Sequence, residues 1–66
     1  MTQFIGEVSR FSVWTSDSEG DLFQANIIEI DKANIHFYLN TKLIKTYIVS
    51  EFIIHNPKLF EVIKEK

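Results

Sequence analysis

The sequence predicts a small α+β protein, a four-stranded antiparallel meander that curls toward an SH3-like partial barrel and is closed by a short C-terminal helix. One observation is a hairpin pattern, in which Ile28 and Ile30 alternate with polar residues before a turn and Ile35 and Phe37 do so after it. The other is an Asn-Pro step at 56–57, a typical helix start. The 66 residues are expected to form one domain.

The turn of this hairpin is expected at Asp31 to Asn34. The Asp31 side chain can bond its own backbone, and Asn34 tolerates the left-handed conformation that closes a type I turn with a bulge. With Ile30 opposite Ile35, one face is apolar and the other carries Glu29, His36 and Tyr38. Because a lone hairpin is marginal in water, the rest of the chain must cover the apolar face.

The first strand is expected at about residues 3–15. Its apolar residues change parity between Val8 and Phe11, which indicates either a bulge near Ser9-Arg10 or a strand that curls between two faces, as in small barrels. Gly6 would ease such a bend.

A polar run at residues 16–21, with Gly20 late in it, predicts the first turn. Its three carboxylates invite comparison with a calcium loop. The run lacks the Gly at the sixth position and the Glu at the twelfth that an EF-hand loop needs, so we interpret it as a solvated turn. The remaining strands are expected at about residues 22–30, 35–40 and 43–49.

The C-terminal helix is expected at about residues 57–64, opened by Asn56 as N-cap. Its spacing places Leu59, Val62 and Ile63 on one side, as an apolar stripe facing the sheet. The preceding residues 50–55 either continue the fourth strand or form a helical turn capped by Ser50, and we favour the helical turn.

The segment Ser50 to Glu61 places a short turn with an aromatic residue before Asn-Pro and a Leu-Phe pair. It resembles the closing element of many small phage-type modules. The chain is also rich in Ile, Phe, Lys and Asn, which suggests AT-rich coding, as in many phages and low-GC bacteria. The resemblance implies a phage or mobile-element origin and implies no function.

Charge and composition narrow the classes of function. Seven Lys and Arg residues against nine Asp and Glu give a net charge of −2, which argues against a protein built to bind phosphate backbones. Without Cys, neither a disulfide nor a thiolate zinc site can support the core. No leader-like segment opens the sequence and no apolar run reaches the ~18 residues that span a bilayer, so we expect a cytoplasmic protein without membrane contact.

Catalytic and metal-binding patterns are absent from the sequence. The two His residues, His36 and His55, lack Cys partners, and no Ser lies in a nucleophile elbow or beside a His. Two Gly residues do not make a phosphate-binding loop. We therefore expect no enzyme activity, no cofactor and no bound metal.

Aromatic residues make up 14% of the chain, more than a core of this size is expected to absorb. Trp14, Tyr38 and Tyr47 are the best candidates for partial exposure because each has a polar group at its tip. Interface hot spots are enriched in Trp, Tyr and Arg. The predicted partner-binding residues are Trp14, Tyr38, Tyr47, Arg10 and His36.

The leading hypothesis is a non-catalytic protein-binding module, such as a phage-encoded inhibitor or adaptor that masks a host protein surface. An alternative is a small nucleic-acid-binding barrel, in which basic side chains flank the stacking rings of Trp14 and Tyr47. The basic residues concerned are Arg10, Lys42 and Lys45. A further alternative is a small ligand, such as a nucleotide, bound at an oligomer interface. Exposed edge strands also make a homodimer plausible.

Overall fold

The computed structural model describes residues 2–16 and 20–65. Four strands are followed by two helices. Their bounds are β1 (Thr2–Val13), β2 (Asp21–Ile30), β3 (Asn34–Leu39), β4 (Lys42–Ile48), α1 (Val49–His55) and α2 (Pro57–Glu65). The strands pair antiparallel in the order β1-β2-β3-β4, which confirms the predicted four-stranded antiparallel sheet.

The sheet is open. Within residues 2–16 and 20–65, no strand pairing joins β1 to β4, so these two strands form its edges. The barrel of the sequence-based expectation is therefore not closed. Of the polar run at 16–21 that we compared with a calcium loop, residues 17–19 lie outside the described residues.

The hairpin of β2 and β3 has the predicted register, with Ile28 opposite Phe37 and Ile30 opposite Ile35. Its turn is held by Asp31, whose Oδ1 accepts the backbone N–H groups of Ala33 (3.0 Å) and Asn34 (2.7 Å). These bonds hold the pKa of Asp31 below its usual value.

The left-handed residue expected at Asn34 is not found there. Asn34 is the first residue of β3, and the positive φ of 59° belongs to Asn40, in the two-residue turn between β3 and β4. The Asn40 N–H donates to the side-chain oxygen of Asn26 at 2.8 Å. The prediction for Asn34 was wrong because the Asp31 side chain closes the turn by accepting the Ala33 and Asn34 N–H groups, and Asn34 enters β3 directly.

The irregularity expected in β1 is present but lies closer to the N-terminus than predicted. The pairing of β1 with β2 shifts between Phe4 and Ser9, and Gly6 within this segment has a φ of 88°. A residue with a Cβ is disfavoured at that angle, so Gly6 determines where the strand bends. The bulge predicted near Ser9-Arg10 therefore begins before Ser9.

One face of the sheet and both helices enclose a single core. Among the described side chains, its buried members are Phe11, Val13, Ala25, Ile28, Ile35, Phe37, Phe52 and Ile63. Aromatic rings dominate it: the ring centroids of Phe11, Phe23 and Phe37 lie 5.0 to 5.8 Å apart. Such contacts add about 0.5–1.5 kcal/mol per pair beyond area burial.

Residues 49–55 form the helix α1 rather than a strand, as we favoured. Ser50 does not cap it, because the helix begins at Val49 with Ile48 at the N-cap position and no side-chain cap bond. Phe52 is the buried residue of α1. The helix forms chiefly because this ring fills the core, since seven residues are too few to be stable alone.

The helix α2 occupies the predicted position. Ile63 is buried and Leu59 and Phe60 pack against the core, but Val62 remains exposed. Val62 was expected on the buried stripe and instead lies at its border, where it lines an open groove between α2 and β1. Neither helix, nor any other in the described ranges, has the length and apolar content to cross a bilayer.

Candidate functional site

A buried asparagine joins the end of β1 to the two helices. Asn56 is 5% exposed and lies between α1 and α2. Its Oδ1 accepts the backbone N–H of Trp14 at 2.8 Å, and its Nδ2 donates to the Trp14 carbonyl at 2.9 Å. The same Nδ2 lies 3.3 Å from the carbonyl oxygen of Phe52. One side chain thus pairs with Trp14 as a neighbouring strand would.

The Asn56 backbone connects the helices as well. Its N–H donates to the Phe52 carbonyl at 2.8 Å, and its carbonyl accepts the Phe60 N–H at 3.0 Å. Asn56 therefore holds the N-cap position of α2, as predicted, but its side chain does not cap the helix. That side chain is committed to Trp14 instead.

This arrangement fixes the backbone of Trp14 while its indole ring faces solvent. Both polar backbone groups of Trp14 are bonded to a buried side chain, yet Trp14 is 56% exposed. A large aromatic side chain on an immobilised backbone loses little additional conformational freedom on binding. Among the described residues, Trp14 is therefore the exposed side chain best suited to bind a partner with little loss of conformational freedom.

A groove of about 370 Å³ lies beside Trp14, and we call it the Trp14 groove. It lies where the end of β1, the edge of β4 and the helix α1 meet. Its lining residues are Trp14, Thr15, Ser16, Thr46, Tyr47, Ile48, Glu51, Phe52 and His55.

The charge of the Trp14 groove is weakly acidic. Glu51 and His55 lie one helical turn apart on α1, with His55 Nε2 3.5 Å from Glu51 Oε2. The described residues that line the groove include no Lys or Arg. The groove therefore favours an apolar ligand group with a positive charge nearby over a phosphate.

Tyr47 forms one wall of the groove and is anchored from behind. Its hydroxyl donates to Asp21 Oδ2 at 2.8 Å, and its ring lies 5.9 Å from the rings of Phe37 and Phe52. Burial, followed by the hydrogen bond and the charge of Asp21, raises the pKa of Tyr47 well above its ordinary value of 10.0. Tyr47 is a fixed wall of the groove, with only part of its ring available to a partner.

His36 and Tyr38 lie on the opposite face of the sheet from the core, as the register predicts. His36 Nδ1 lies 3.0 Å from Thr46 Oγ1, and Nε2 lies 3.2 Å from Asp31 Oδ2. Tyr38 is half-buried between its cross-strand neighbours Ile27 and Leu43. These two residues are near one another but are not part of the Trp14 groove.

Arg10 lies neither in the Trp14 groove nor beside His36 and Tyr38. It is exposed on β1 and lines a groove of about 360 Å³ between that strand and α2, together with Leu59 and Val62. The structure thus divides the five predicted partner-binding residues among three surfaces. Trp14 and Tyr47 alone meet in one groove.

The basic residues proposed to flank a stacking platform are also dispersed. Lys45 Nζ lies 3.9 Å from Asp21 Oδ1, and Lys42 lies at the turn between β3 and β4. Among the described residues, no group of three or more His, Cys, Asp or Glu side chains is placed to hold a metal ion. His36 and His55 instead pair separately with Asp31 and Glu51.

Sequence reasoning missed Asn56 as a member of this site. An Asn before Pro is a sufficient helix-start signal, so nothing in the local pattern reveals that its side chain reaches a residue 42 positions away. Comparison with known proteins finds no matching family model, curated protein or solved structure. The assignment of function therefore depends on the geometry of this chain.

Proposed function

We propose that this chain is a non-catalytic protein-binding module whose contact surface is centred on Trp14. We further propose that it is a phage-encoded inhibitor or adaptor that masks a surface of a host protein. The observation that carries the proposal is an exposed Trp whose backbone is held on both sides by buried Asn56. Trp is the residue type most enriched in interface hot spots together with Tyr and Arg.

The energy available at Trp14 is sufficient for a hot spot. Covering the exposed half of a Trp side chain removes on the order of 100 Å² from water, which is worth about 2.5 kcal/mol. Because Asn56 has already fixed the Trp14 backbone, little of this is lost to ordering. Ile48, which is 58% exposed beside the groove, extends the apolar contact.

The open sheet supports the same proposal. The hydrogen bond from Tyr47 on β4 to Asp21 on β2 supports a sheet that curls toward an SH3-like partial barrel. The Trp14 groove lies in the gap between the end of β1 and the edge of β4. Binding at such a gap leaves the core of the protein unchanged.

The test is affinity capture from a bacterial lysate treated with nuclease. Tagged wild-type protein should retain a specific protein, and Trp14→Ala should lose most of it, by about tenfold or more for a loss near 2 kcal/mol. Leu43→Ala is the matched control, because Leu43 is 49% exposed and lies at the β3–β4 turn, outside the groove. Both variants should keep the wild-type circular dichroism spectrum.

Three results would contradict the proposal. If Trp14→Ala and Leu43→Ala retain the same proteins in the same amounts, Trp14 is not the contact. If the bound material disappears with nuclease and its retention falls steeply with salt, the chain is the small nucleic-acid-binding barrel of the alternative. A thermal shift with a nucleotide and no captured protein would favour the small-ligand alternative instead.

A further inference from the structure

The edge of β4 presents unpaired backbone groups to the Trp14 groove. The Val49 N–H donates to the Ala33 carbonyl at 2.9 Å, in the same register that places Tyr47 opposite Ile35. In an antiparallel pair, hydrogen-bonded and non-hydrogen-bonded positions alternate. The N–H and C=O groups of Thr46 and the N–H group of Ile48 therefore point away from β3. The Ile48 carbonyl is not among these outward groups, because Ile48 is the N-cap of α1 and its carbonyl accepts the first hydrogen bond of that helix.

Nothing within residues 2–16 and 20–65 satisfies these outward groups by strand pairing, because β4 is the last strand of the sheet. Thr46 and Ile48 both line the Trp14 groove. The groove thus contains an edge that can pair with one more strand, together with apolar walls beside it.

The surroundings of this edge select the kind of strand that fits. Beside the edge of β4, the groove is lined by the segment containing Trp14 and by the helix α1, which form its two walls. A folded domain, including a second copy of this chain, would have to bring its own sheet edge between these two walls. A single extended segment has no such bulk and can enter.

We propose that the Trp14 groove binds an extended peptide segment of the partner protein, which adds to the edge of β4 as a fifth strand. This inference rests on the proposed function and names the chemistry of the partner. The main chain of the peptide bonds the outward groups of Thr46 and Ile48, and one apolar side chain packs against Trp14.

The peptide also carries a basic residue. Glu51 is the groove's acidic residue, its side chain is 59% exposed, and it lies on the wall formed by α1. A Lys or Arg of the bound segment pairs with Glu51 and sets the orientation of the peptide. Successive side chains of a strand point to opposite faces, so the apolar residue at Trp14 and the basic residue occupy distinct positions along the segment.

A pair of substitutions at Thr46 isolates the backbone contribution. Thr46→Pro removes the outward N–H, and Pro is tolerated in an edge strand where that group faces solvent. Thr46→Val keeps the N–H. Both variants lose the hydroxyl that lies 3.0 Å from His36 Nδ1, so they differ in the backbone donor and not in that contact.

The experiment is a selection of random peptides of about nine residues against the wild-type protein, followed by affinity measurements with the enriched peptides. We expect peptides that contain an apolar and a basic residue, that bind Thr46→Val about as well as wild type, and that bind Thr46→Pro about tenfold more weakly. Equal binding to the two variants, enrichment without basic residues, or no enrichment would overturn the proposal.

Two further measurements keep the proposal testable if Thr46→Pro does not fold. Addition of an enriched peptide should slow the hydrogen exchange of the Thr46 and Ile48 amides in the wild-type protein, and unchanged exchange would contradict strand addition. Sedimentation of the free protein tests whether a second copy of the chain pairs with the edge of β4 instead. A dimer protected at the same two amides would assign the edge to a second copy and overturn the peptide assignment.

Failure of this inference is distinguishable from failure of the proposed function. A partner whose capture depends on Trp14 but is equal for Thr46→Pro and Thr46→Val leaves the protein-binding module intact and removes only the strand addition. Loss of the Trp14 dependence removes both.

Discussion

Asn56 is the residue on which the candidate site depends most. Its side chain makes hydrogen bonds to the Trp14 N–H, the Trp14 carbonyl and the Phe52 carbonyl, and it is 5% exposed. Removing it leaves backbone groups without partners in a place that water reaches poorly. The cost of such groups usually exceeds the net gain from making the bonds.

We expect Asn56→Ala to lower the free energy of unfolding by about 2 to 3 kcal/mol, measured by urea denaturation. Asn26→Ala is the control, because the Asn26 amide also bonds a backbone N–H, that of Asn40, but at an exposed turn. Its expected cost is about 1 kcal/mol or less. Equal losses for the two variants would show that the bonds to Trp14 are not special.

Tyr47 gives the protein a pH dependence on the alkaline side. Its raised pKa means that the folded state holds the phenolic proton more tightly than the unfolded chain. The resulting stabilisation is complete below the unfolded pKa, near 10.0, and is lost as pH rises through the higher pKa of the folded state.

The free energy of unfolding of the wild type should therefore fall more steeply above about pH 10 than that of Tyr47→Phe. At neutral pH the variant should lose about 0.5 to 1 kcal/mol, because it lacks the donor to Asp21. Denaturation curves measured between neutral pH and pH 11 make the comparison. Parallel pH profiles would mean that the Tyr47–Asp21 bond does not persist in solution.

For individual residues, the exposure of a side chain was easier to predict than its hydrogen-bond partners. Trp14 was singled out because an indole has a polar edge and a core this small has limited room. Asn56, in contrast, bonds the backbone of Trp14, which lies 42 positions away in the sequence. A local sequence pattern cannot predict such a contact. Tyr47 was expected to be partly exposed and is half-buried, with its ring packed against Phe37 and Phe52 at the border of the core.

Among the elements, the bend of β1 has the clearest sequence determinant. Gly6 has a φ of 88°, a value at which an L side chain is strained by about 1–2 kcal/mol. Gly6→Ala should lower the free energy of unfolding by that amount. Gly20→Ala is the control, because a Cβ at Gly20 would lie no closer than 3.4 Å to Val13 O and its φ lies outside that region.

Thermal or chemical denaturation of the two glycine variants measures the difference between their free energies of unfolding. A difference close to zero between them would mean that β1 accommodates a side chain at residue 6 by changing its pairing with β2. In that case the register between Phe4 and Ser9 is not fixed by Gly6.

Elements whose structure depends on nearby residues were predicted well, and those that depend on distant contacts were not. The β2–β3 hairpin was predicted to the residue because period-two alternation and the Asp31 turn are both local. The register of β1 was not, since it depends on where this 12-residue strand shifts its pairing with β2. The helix α1 has no cap, so its extent is determined by the packing of Phe52 rather than by a signal in the sequence.

For the whole molecule, size and function are connected. A chain of 66 residues buries only about 60% of its unfolded surface. All of its elements are therefore needed to cover one small core. The open gap between β1 and β4 is bounded by Asn56, Trp14 and α1 rather than filled by another strand. We propose this gap as the place where a partner protein binds.

Because Trp14 is the single Trp of the chain, contact between a partner and the Trp14 groove can be measured directly. Labelling with 5-fluorotryptophan gives one ¹⁹F resonance, which reports on the Trp14 groove alone. We would record it with nuclease-treated bacterial lysate and, separately, with nucleic acid purified from the same lysate. If Trp14 is the contact with a partner protein, the resonance shifts or broadens with the protein fraction and is unchanged with the nucleic acid. An unchanged resonance with the protein fraction that the tagged chain captures would contradict this assignment.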